Sequence, residues 1–383
     1  MGKLDVTVRK ICYISGTRAD FGLMRSTLTA IRDAEGLDLN VIVTGMHLNS
    51  KYGHTITDIE EAGLAIIARV QVDMEEASGV NMARNIGTMV AGFAGVLAEQ
   101  RPDVVLLLGD RGEMLAGALA AIHLNIPVVH IHGGERSGTI DEPVRHAISK
   151  LSHFHFTATA DARARLIRMG ESASNVYVIG APGIDGIVEL AQESRGALCA
   201  IFGFDPARPL ALFVYHPVVQ ESDCDGKEVA EILDLLISRG IQVVALRPNS
   251  DAGSDAIRTR LESRASHALV HLLTHMGRAR FAAMMAEADV MIGNSSAGII
   301  EAASFGIPVV NIGSRQNLRE RNKNVRDVDL NLQAIGDAID RAMQAGRYPR
   351  TNIYGDGQAA RRIVALLQNI PLDNTVLMKT NAY

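Results

Sequence analysis

Residues 288–315, ADVMIGNSSAGIIEAASFGIPVVNIGSR, decide the fold that this sequence predicts. A short apolar strand runs into a turn of Gly, Asn and Ser, which leads into a small-residue helix and a second apolar strand. Such a turn exposes backbone N–H groups at the positive end of the helix dipole, where anions such as phosphate bind. Ser295 and Ser296 are therefore candidate phosphate ligands, and Glu301, roughly one helical turn further on, is a candidate acceptor for ribose hydroxyls. The alternative is a well-capped turn in an α/β core that holds no ligand.

The first half of the chain repeats this pattern. DVVLLLGDR at 103–111 and NIPVVHIHGG at 125–134 match DVMIGNSS at 289–296 and GIPVVNIGS at 306–314 in order and in similar spacing. Buried apolar strands alternating with helices in a repeat of this kind predict an α/β fold of two Rossmann-like domains. Because ligands of such sheets bind at the carboxyl ends of the strands, the strand ends of both halves are expected to line one shared cleft.

Composition limits the class of protein. The chain of 383 residues, 47% of them hydrophobic, is long enough for two domains, which we place at 1–182 and 183–356, with a tail at 371–383. The formal net charge of −5 argues against nucleic acid as a partner. No apolar run approaches the roughly 18 residues that span a bilayer, and the first ten residues lack an apolar signal core. We therefore expect a cytoplasmic protein without a membrane partner. The chain has only three cysteines, and they are widely spaced, which indicates reduced thiols and not a disulfide framework.

Polar side chains that can bind a ligand or transfer protons follow the predicted strands, at the edge where the cleft is expected. Neighbouring carboxylates can hold different pKa values and so divide acid and base roles between them. Each candidate also has a structural alternative, as a helix cap, a solvated loop carboxylate or a buried turn histidine. The candidates are Asp110, Arg111, His132, Glu135, Asp141 and His216.

Arg18 lies in the turn after the first strand, SGTRAD, and is either a phosphate ligand or a surface residue. This turn lacks the GxGxxG pattern, so a dinucleotide fingerprint is absent. The histidine pairs at 130/132 and 153/155 have no third ligand at a fixed spacing, and the chain has no HExxH motif. The sequence therefore predicts neither a catalytic metal nor a cofactor.

Six motifs together resemble one known family, the hydrolysing UDP-N-acetylglucosamine 2-epimerases, which include bacterial sialic acid pathway enzymes and the epimerase half of the animal epimerase/kinase. The resemblance covers about residues 9–370, and the motifs are much more specific together than singly. They are SGTRADFGLM, TGMHL, LLGDR, HIHGGERSGTIDEPVRHAISKLSH, RPNSDAGSD and IGNSSAGIIEAASFGIPVVNIGSRQ.

The resemblance implies a GT-B architecture, with a UDP-sugar between the two domains and a final helix, at about 357–370, that crosses back to the first domain. It also implies a homodimer or homotetramer. The reaction it implies begins when a base removes the C2 proton of UDP-N-acetylglucosamine while UDP leaves from C1. The resulting 2-acetamidoglucal then adds water with inversion at C2 and gives N-acetylmannosamine for sialic acid synthesis.

Roles follow from the same resemblance. The C2 proton is expected to go to Glu135 or to His132, and His216 is expected near the leaving group. Glu301 would bind the ribose. The remaining implied roles are acid/base chemistry for Asp110, Glu135 and Asp141, and binding of the diphosphate or its phosphates for Ser295, Ser296, Arg18 and Arg315.

Alternatives remain within the family and outside it. Some members act on UDP-2,4-diacetamido-2,4,6-trideoxyglucose, for legionaminic acid synthesis, and others keep UDP attached during epimerisation. The GGERSGTIDE loop matches the hydrolysing group better than the group that retains UDP. A GT-B glycosyltransferase and a UDP-sugar sensor without activity share the expected fold and UDP site. An assay with an acceptor distinguishes the glycosyltransferase from an epimerase. Binding of the UDP-sugar without turnover distinguishes the sensor.

Overall fold

The computed structural model describes residues 8–76, 78–218 and 226–383. Within these ranges the chain forms two parallel sheets, of seven and six strands. The α/β architecture with two Rossmann-like halves that the repeat predicts is therefore confirmed. Cys224 and the first seven residues, which entered the expectations of reduced thiols and of no signal segment, lie outside the described ranges.

The first sheet has helices on both faces, which is why its central strands are apolar along their whole length. Neighbouring residues of the first strand enter different cores: Ile11 and Tyr13 pack on one face, and Cys12 and Ile14 on the other. The strands are β1 (Arg9–Ser15), β2 (Leu37–Thr44), β3 (Ala65–Val70), β4 (Val104–Leu108), β5 (Val128–Ile131), β6 (Phe154–Thr157) and β7 (Val176–Val178). Their order across the sheet is β3-β2-β1-β4-β5-β6-β7.

The helices of the first half begin at clear sequence signals. Thr17 and Asp20 form a capping box at the start of the first helix, where each satisfies a backbone N–H that the helix leaves free. Ser78 caps the long third helix in the ordinary way, because its side chain accepts from the Asn81 N–H. The helices are α1 (Arg18–Arg32), α2 (Ile56–Glu61), α3 (Gly79–Gln100), α4 (Gly112–His123), α5 (Asp141–Leu151) and α6 (Ala160–Arg168).

The second half repeats the arrangement with six strands. Its strands are β8 (Leu210–Val214), β9 (Gln242–Leu246), β10 (Val270–Leu273), β11 (Val290–Gly293), β12 (Val309–Ile312) and β13 (Val325–Val328). Its helices are α7 (Ile187–Leu190), α8 (Arg195–Phe202), α9 (Lys227–Ser238), α10 (Ser254–Glu262), α11 (Arg278–Glu287), α12 (Ser296–Ile300), α13 (Leu332–Ala345) and α14 (Ala359–Asn369). The strand order is β10-β9-β8-β11-β12-β13.

Each sheet has one point where the strand order reverses, between β1 and β4 in the first and between β8 and β11 in the second. Ligands of open α/β sheets bind in the crevice at the carboxyl ends of the strands beside such a point. The two halves of the repeated sequence pattern supply β4 and β5 in one sheet and β11 and β12 in the other. The fold therefore brings the strand ends of the repeat to the expected binding edge in both sheets.

Helix α14 packs against α1 of the first half. Ile363 and Leu367 are fully buried in the core that the first sheet shares with α1, and burying an aliphatic side chain of this size contributes roughly 1.5–3 kcal/mol. Arg9 at the start of β1 donates to the carbonyls of Leu367 and Ile370, at 2.8 Å each, and so caps the end of the helix. The chain thus returns from the second half to the first.

The segment 371–383, a tail in the sequence prediction, also contacts the first half. The Lys379 ammonium donates to the carbonyls of Ser149, Lys150 and Ser152 at the end of α5 and lies 2.6 Å from Oε2 of Glu171. A cation at this position stabilises the negative end of the helix dipole. The tail therefore supports the helix that carries Asp141 at its other end.

Strand β13 is an element that the sequence did not predict. Its burial pattern is mixed, and Arg326 and Asp327 in its middle are exposed. A short edge strand with charged residues resists pairing with other chains, but the same charges break the apolar pattern by which strands are recognised in a sequence.

Among the residues that the structure describes, no helix has the length and apolar character to cross a membrane.

Candidate functional site

The end of β11 is fixed by backbone geometry that only glycine allows. Gly293 has φ = 133°, and a Cβ there would lie 2.0 Å from the Val214 carbonyl oxygen of β8. The next residue, Asn294, is 1% exposed, and its side chain accepts from the His216 N–H at 2.7 Å and donates to the His216 carbonyl at 2.8 Å. The residues that follow β8 and β11 are therefore clamped together at the point where the strand order reverses.

Asp110, directly after β4, is held by two arginines. Arg145 of α5 is 1% exposed and donates from Nη2 to Asp110 Oδ2. Arg319, which follows β12 in the second half, has its Nη2 at 3.8 Å from the same oxygen. Burial raises the pKa of Asp110, but the two guanidinium groups outweigh it and lower the pKa below its ordinary value. Asp110 is therefore ionised at neutral pH.

Glu135 forms a second ion pair with the same arginine. The side chain is 4% exposed, with Oε1 at 2.8 Å from His132 Nδ1, and Oε2 accepts from Arg319 Nη1. Burial raises the pKa of Glu135, whereas Arg319 and His132 lower it more, so the net pKa lies well below its usual range. His132 has φ = 65°, a left-handed value that costs a non-glycine residue on the order of 1–3 kcal/mol. The strained turn places the imidazole against Glu135, with Nε2 as its remaining ring nitrogen.

Asp141, the first residue of α5, differs from its neighbour Asp110. Burial raises its pKa, and the negative charges of Asp110 and Asp251 raise it further, while Arg315 and Arg111 offset only part of this effect. The Thr139 hydroxyl donates to its Oδ2 at 3.2 Å. The site thus holds one carboxylate that is ionised and one that keeps its proton to higher pH, which is how a pair of carboxyl groups divides acid and base roles.

Arg111 joins the two halves. Its Nη2 donates to Oδ1 of Asp251, which follows β9, at 3.0 Å, and its Nε lies 3.4 Å from Oε2 of Glu113. Burial raises the pKa of Asp251, but Arg111 leads the interactions that lower it below the ordinary value. This pair closes one side of the cleft between the sheets.

His216 is neutral in this site. Burial lowers its pKa to about 3, together with the positive charges of Arg315, Arg18 and Arg111. The Asn249 N–H donates to Nδ1 at 3.2 Å, which leaves the proton of the neutral ring on Nε2. His216 can therefore donate a hydrogen bond from Nε2 without carrying charge.

The anion-binding candidates surround the start of α12. The Ser295 hydroxyl accepts from the Ala297 N–H at 3.3 Å and so caps the helix, and Ser296 is the first helical residue. Arg315 donates to the Asn294 carbonyl at 3.3 Å. The same guanidinium is close enough to shift the pKa of four groups around the cleft: Asp110, Asp141, His216 and Asp251. The phosphate roles of Ser295, Ser296 and Arg315 stay predictions.

Arg18 and Glu301 lie outside the carboxylate cluster. Arg18 donates to the carbonyls of Thr274 and Arg247 in the second half, and burial lowers its pKa to about 10. Glu301 is 3% exposed and accepts from Arg278 at 2.7 Å, at the junction of the two halves. The expected phosphate role of Arg18 and ribose role of Glu301 also stay predictions.

Three charged residues of the site were missed in the sequence: Arg145, Asp251 and Arg319. Arg145 and Asp251 stand within the quoted motifs DEPVRH and RPNSDAGSD, and Arg319 lies in the basic segment after β12. Each pairs with a carboxylate or guanidinium at least 35 residues away along the chain, so local spacing gives no signal for the pair. Across the described ranges, no group of three or more His, Cys, Asp or Glu side chains is placed to hold a metal ion.

Comparison with known proteins identifies related chains. A family model described as UDP-N-acetylglucosamine 2-epimerase matches residues 29–368. A hydrolysing UDP-N,N'-diacetylbacillosamine 2-epimerase from Legionella pneumophila is 48% identical over 98% of this chain and 100% of its own length. A UDP-N-acetylglucosamine 2-epimerase from Neisseria meningitidis is 32% identical, over 91% of this chain and 92% of its own.

Solved structures with low sequence identity share the fold. A UDP-N-acetylglucosamine 2-epimerase from Neisseria meningitidis, bound to UDP-GlcNAc, superimposes with a TM-score of 0.79 at 21% identity, over 94% of this chain and 100% of that one. The Methanocaldococcus jannaschii enzyme, in complex with UDP-GlcNAc and UDP, gives 0.77 at 19% identity, over 94% and 99%. These likenesses confirm the GT-B type of architecture.

Proposed function

We propose that this chain, which belongs to the UDP-N-acetylglucosamine 2-epimerase family, is a hydrolysing 2-epimerase of UDP-2,4-diacetamido-2,4,6-trideoxyglucose. This sugar nucleotide is the UDP-N,N'-diacetylbacillosamine in the name of the Legionella relative, which is 48% identical over essentially the whole length of both chains. The motifs alone led us to expect UDP-N-acetylglucosamine as the substrate, but that relative favours the diacetamido sugar. The reaction type is supported above all by the geometry of Asp110 and Glu135, two carboxylates that share Arg319, with His132 Nδ1 at 2.8 Å from Glu135 Oε1.

The proposed reaction has two steps. In the first, a base takes the C2 proton, the C2–H electrons form a C1=C2 double bond, and the C1–O bond breaks so that UDP leaves with its electron pair. In the second, an acid adds a proton to C2 on the face opposite to the one that lost its proton, the oxygen of a water molecule bonds to C1, and the proton that this water gives up leaves the acid protonated again. The proton taken by the base passes to solvent. The products are UDP and the free 2-epimer. Both steps need groups that move protons at C2 and a site that stabilises the leaving diphosphate.

The geometry favours His132 as the base. Oε2 of Glu135 accepts from Arg319, Oε1 lies 2.8 Å from His132 Nδ1, and these two groups lower the pKa of Glu135 well below its usual range, so it is a weak proton acceptor. A carboxylate bound to one nitrogen of an imidazole orients the ring and stabilises the imidazolium that forms when the other nitrogen takes a proton. Glu135 therefore positions His132, and Nε2 of His132 accepts the C2 proton.

Asp141 supplies the returning proton, because its raised pKa keeps the carboxyl group protonated to higher pH. Burial is the main cause of that raised pKa, and the negative charge of Asp110 adds to it. Neutral His216 donates from Nε2 to the leaving diphosphate and does not protonate it, since its pKa is about 3. Ser295, Ser296, Arg18, Arg111 and Arg315 bind the UDP portion, and Glu301 binds the ribose.

Proton NMR in D2O tests the function. The enzyme is incubated with the diacetamido sugar nucleotide and, separately, with UDP-N-acetylglucosamine. We expect UDP and a free 2-epimer that carries deuterium at C2, formed faster from the diacetamido sugar. Faster turnover of UDP-N-acetylglucosamine would contradict the substrate proposed here. UDP binding without turnover of either sugar would contradict the reaction and favour a glycosyltransferase or a sensor.

Ser296→Ala tests the binding site for the diphosphate. Loss of a buried hydrogen bond to phosphate is expected to weaken UDP binding by on the order of 1–3 kcal/mol, measured by calorimetry. Ser238→Ala, at an exposed serine of α9, is the matched control and should leave UDP affinity unchanged. Equal UDP affinity of both variants and the parent would exclude Ser296 as a phosphate ligand.

A further inference from the structure

A cavity that is open to solvent lies at the carboxyl edge of the first sheet, beside the reversal of strand order between β1 and β4. It lies between the segment after β3, the first half of α3 and the start of α4, and Ser250 and Asp251 of the second half also line it. The lining is mixed. Its apolar residues are Tyr52, Val72, Met74, Met82, Ile86 and Met89, and its polar or charged residues are Asp73, Glu76, Asn85, Arg111, Glu113, Ser250 and Asp251. Three methionines in one small cavity form a surface that adapts to the shape of an apolar group.

The cavity adjoins the acid/base cluster. Arg111, the residue after Asp110, lines the cavity, and so does its ion-pair partner Asp251. Glu135 and Asp141, on the segment that follows β5, belong to the same cluster: Glu135 shares Arg319 with Asp110, and Asp141 is near enough to Arg111 to raise its pKa. A pyranose ring whose C1 and C2 contact the cluster therefore has room for its far side in this cavity.

We infer that this cavity binds the C4 acetamido and C6 methyl groups of the substrate sugar, an inference that rests on the proposed function. C4 and C5 lie across the ring from C1 and C2, so their substituents extend away from the reacting atoms. In the diacetamido sugar these substituents end in methyl groups. UDP-N-acetylglucosamine has hydroxyl groups at both positions, and a hydroxyl placed against a methionine or isoleucine side chain finds no hydrogen-bond partner in that side chain, whereas a methyl group needs none.

The cavity therefore acts as the specificity pocket of the enzyme. The test substitutes two half-buried side chains of the cavity, Met74 on the segment after β3 and Met82 on the first turns of α3. Glutamine has nearly the shape of methionine but brings a polar amide to the cavity wall. Met343→Gln is the matched control, because Met343 packs on the core of the second half, away from the cleft.

The experiment measures kcat/KM of the parent and of the three single variants with both sugar nucleotides, together with UDP affinity and the melting temperature. We expect Met74→Gln and Met82→Gln to lower the preference for the diacetamido sugar by roughly 10-fold or more, the size of effect that one apolar group has on specificity. UDP affinity should be unchanged, and Met343→Gln should keep the parental preference.

The outcomes separate this inference from the function it rests on. A parent enzyme that turns over the diacetamido sugar, with the same preference in both cavity variants as in the parent, would reject the cavity assignment and leave the function standing. A parent enzyme that prefers UDP-N-acetylglucosamine, or that turns over neither sugar, would reject both. A variant with reduced UDP affinity or melting temperature is judged by its ratio of kcat/KM values, because a general loss of folded enzyme lowers both values equally.

Discussion

Asp110→Asn is expected to lower turnover by on the order of 10²–10⁴-fold while UDP remains bound, because general acid–base catalysis contributes about this much. Burial raises the pKa of Asp141 most, and the negative charge of Asp110 raises it further; the amide lacks this charge, so the pKa of Asp141 falls in the variant. Asp141 then loses its proton at lower pH, and the basic limb of the kcat profile should move to lower pH. Turnover over a pH series and UDP titration calorimetry measure both effects.

The same substitution affects stability with a sign that the pKa shift fixes. The pKa of Asp110 is lower in the folded protein than in the unfolded chain, where it is about 3.9. Its contribution to stability is therefore present above that pH and is lost as the pH falls through the folded value. Asp110→Asn removes this contribution and leaves Arg145 without its carboxylate, a change that costs up to about 3–5 kcal/mol in a buried pair. Chemical unfolding at pH 7 is the measurement.

Asp234→Asn is the control for charge removal, because Asp234 pairs with Arg264 at the exposed surface of α9 and α10. It should change turnover little and stability by at most about 1 kcal/mol. Turnover of Asp110→Asn within about tenfold of the parent, in protein that is folded and binds UDP, would show that Asp110 has no part in the acid–base chemistry.

The fold was predictable because its signals are local. Residues 103–111 and 289–296 each combine an unbroken apolar strand with a turn of small or charged residues, and both form parallel strands at the centre of a sheet. Strand β13 was missed because its exposed charges break the apolar pattern on which strand prediction depends. The contacts of Lys379 with α5 were not predictable either, since they form between segments more than 220 residues apart.

The site was predictable in its residue types but not in its pairings. Asp110, Glu135, Asp141 and His216 were predicted from their positions after strands, because side chains at these positions reach the ligand-binding edge of a parallel sheet. The sequence left open whether Glu135 or His132 takes the C2 proton. That choice depends on Arg319, 184 residues from Glu135, whose contact with the carboxylate exists only in the folded chain.

The identity of the substrate was the property that the sequence predicted least well. The residues that we propose to contact the C4 and C6 substituents of the sugar come from several segments, and their order along the chain has no period that marks them as a pocket. The cavity beside Arg111 draws Met74, Met82 and Asp251 together from the segment after β3, from α3 and from the segment after β9. The structure assembles this surface, and it supplies the contacts on which a substrate preference can be tested.

Arg319→Gln is expected to lower the free energy of unfolding by about 3–5 kcal/mol at pH 7, because it breaks an ion pair between the two halves and leaves two carboxylates without their shared cation. Arg319 is 9% exposed, and its partners are Glu135 and Asp110. The difference from the parent should shrink below about pH 4.3, the pKa of Glu in an unfolded chain. The reason is that the lowered pKa of Glu135 contributes stability only above that pH, and this contribution is lost as the pH falls.

The pH dependence of turnover should change as well. Without Arg319, the strongest of the interactions that lower the pKa of Glu135 against burial is lost, so Glu135 takes up a proton at higher pH than in the parent. A protonated Glu135 no longer stabilises the imidazolium of His132, and the acid limb of the kcat profile should move to higher pH.

Arg319→Lys keeps the charge but loses the planar fork of the guanidinium, so it should restore part of the profile and less of the stability. Arg264→Gln, at the exposed pair with Asp234, controls for the loss of an arginine and should leave the profile as in the parent. An acid limb that stays in place in folded Arg319→Gln would mean that Arg319 serves only to join the two halves, and that the charge it brings to Glu135 has no part in removing the C2 proton.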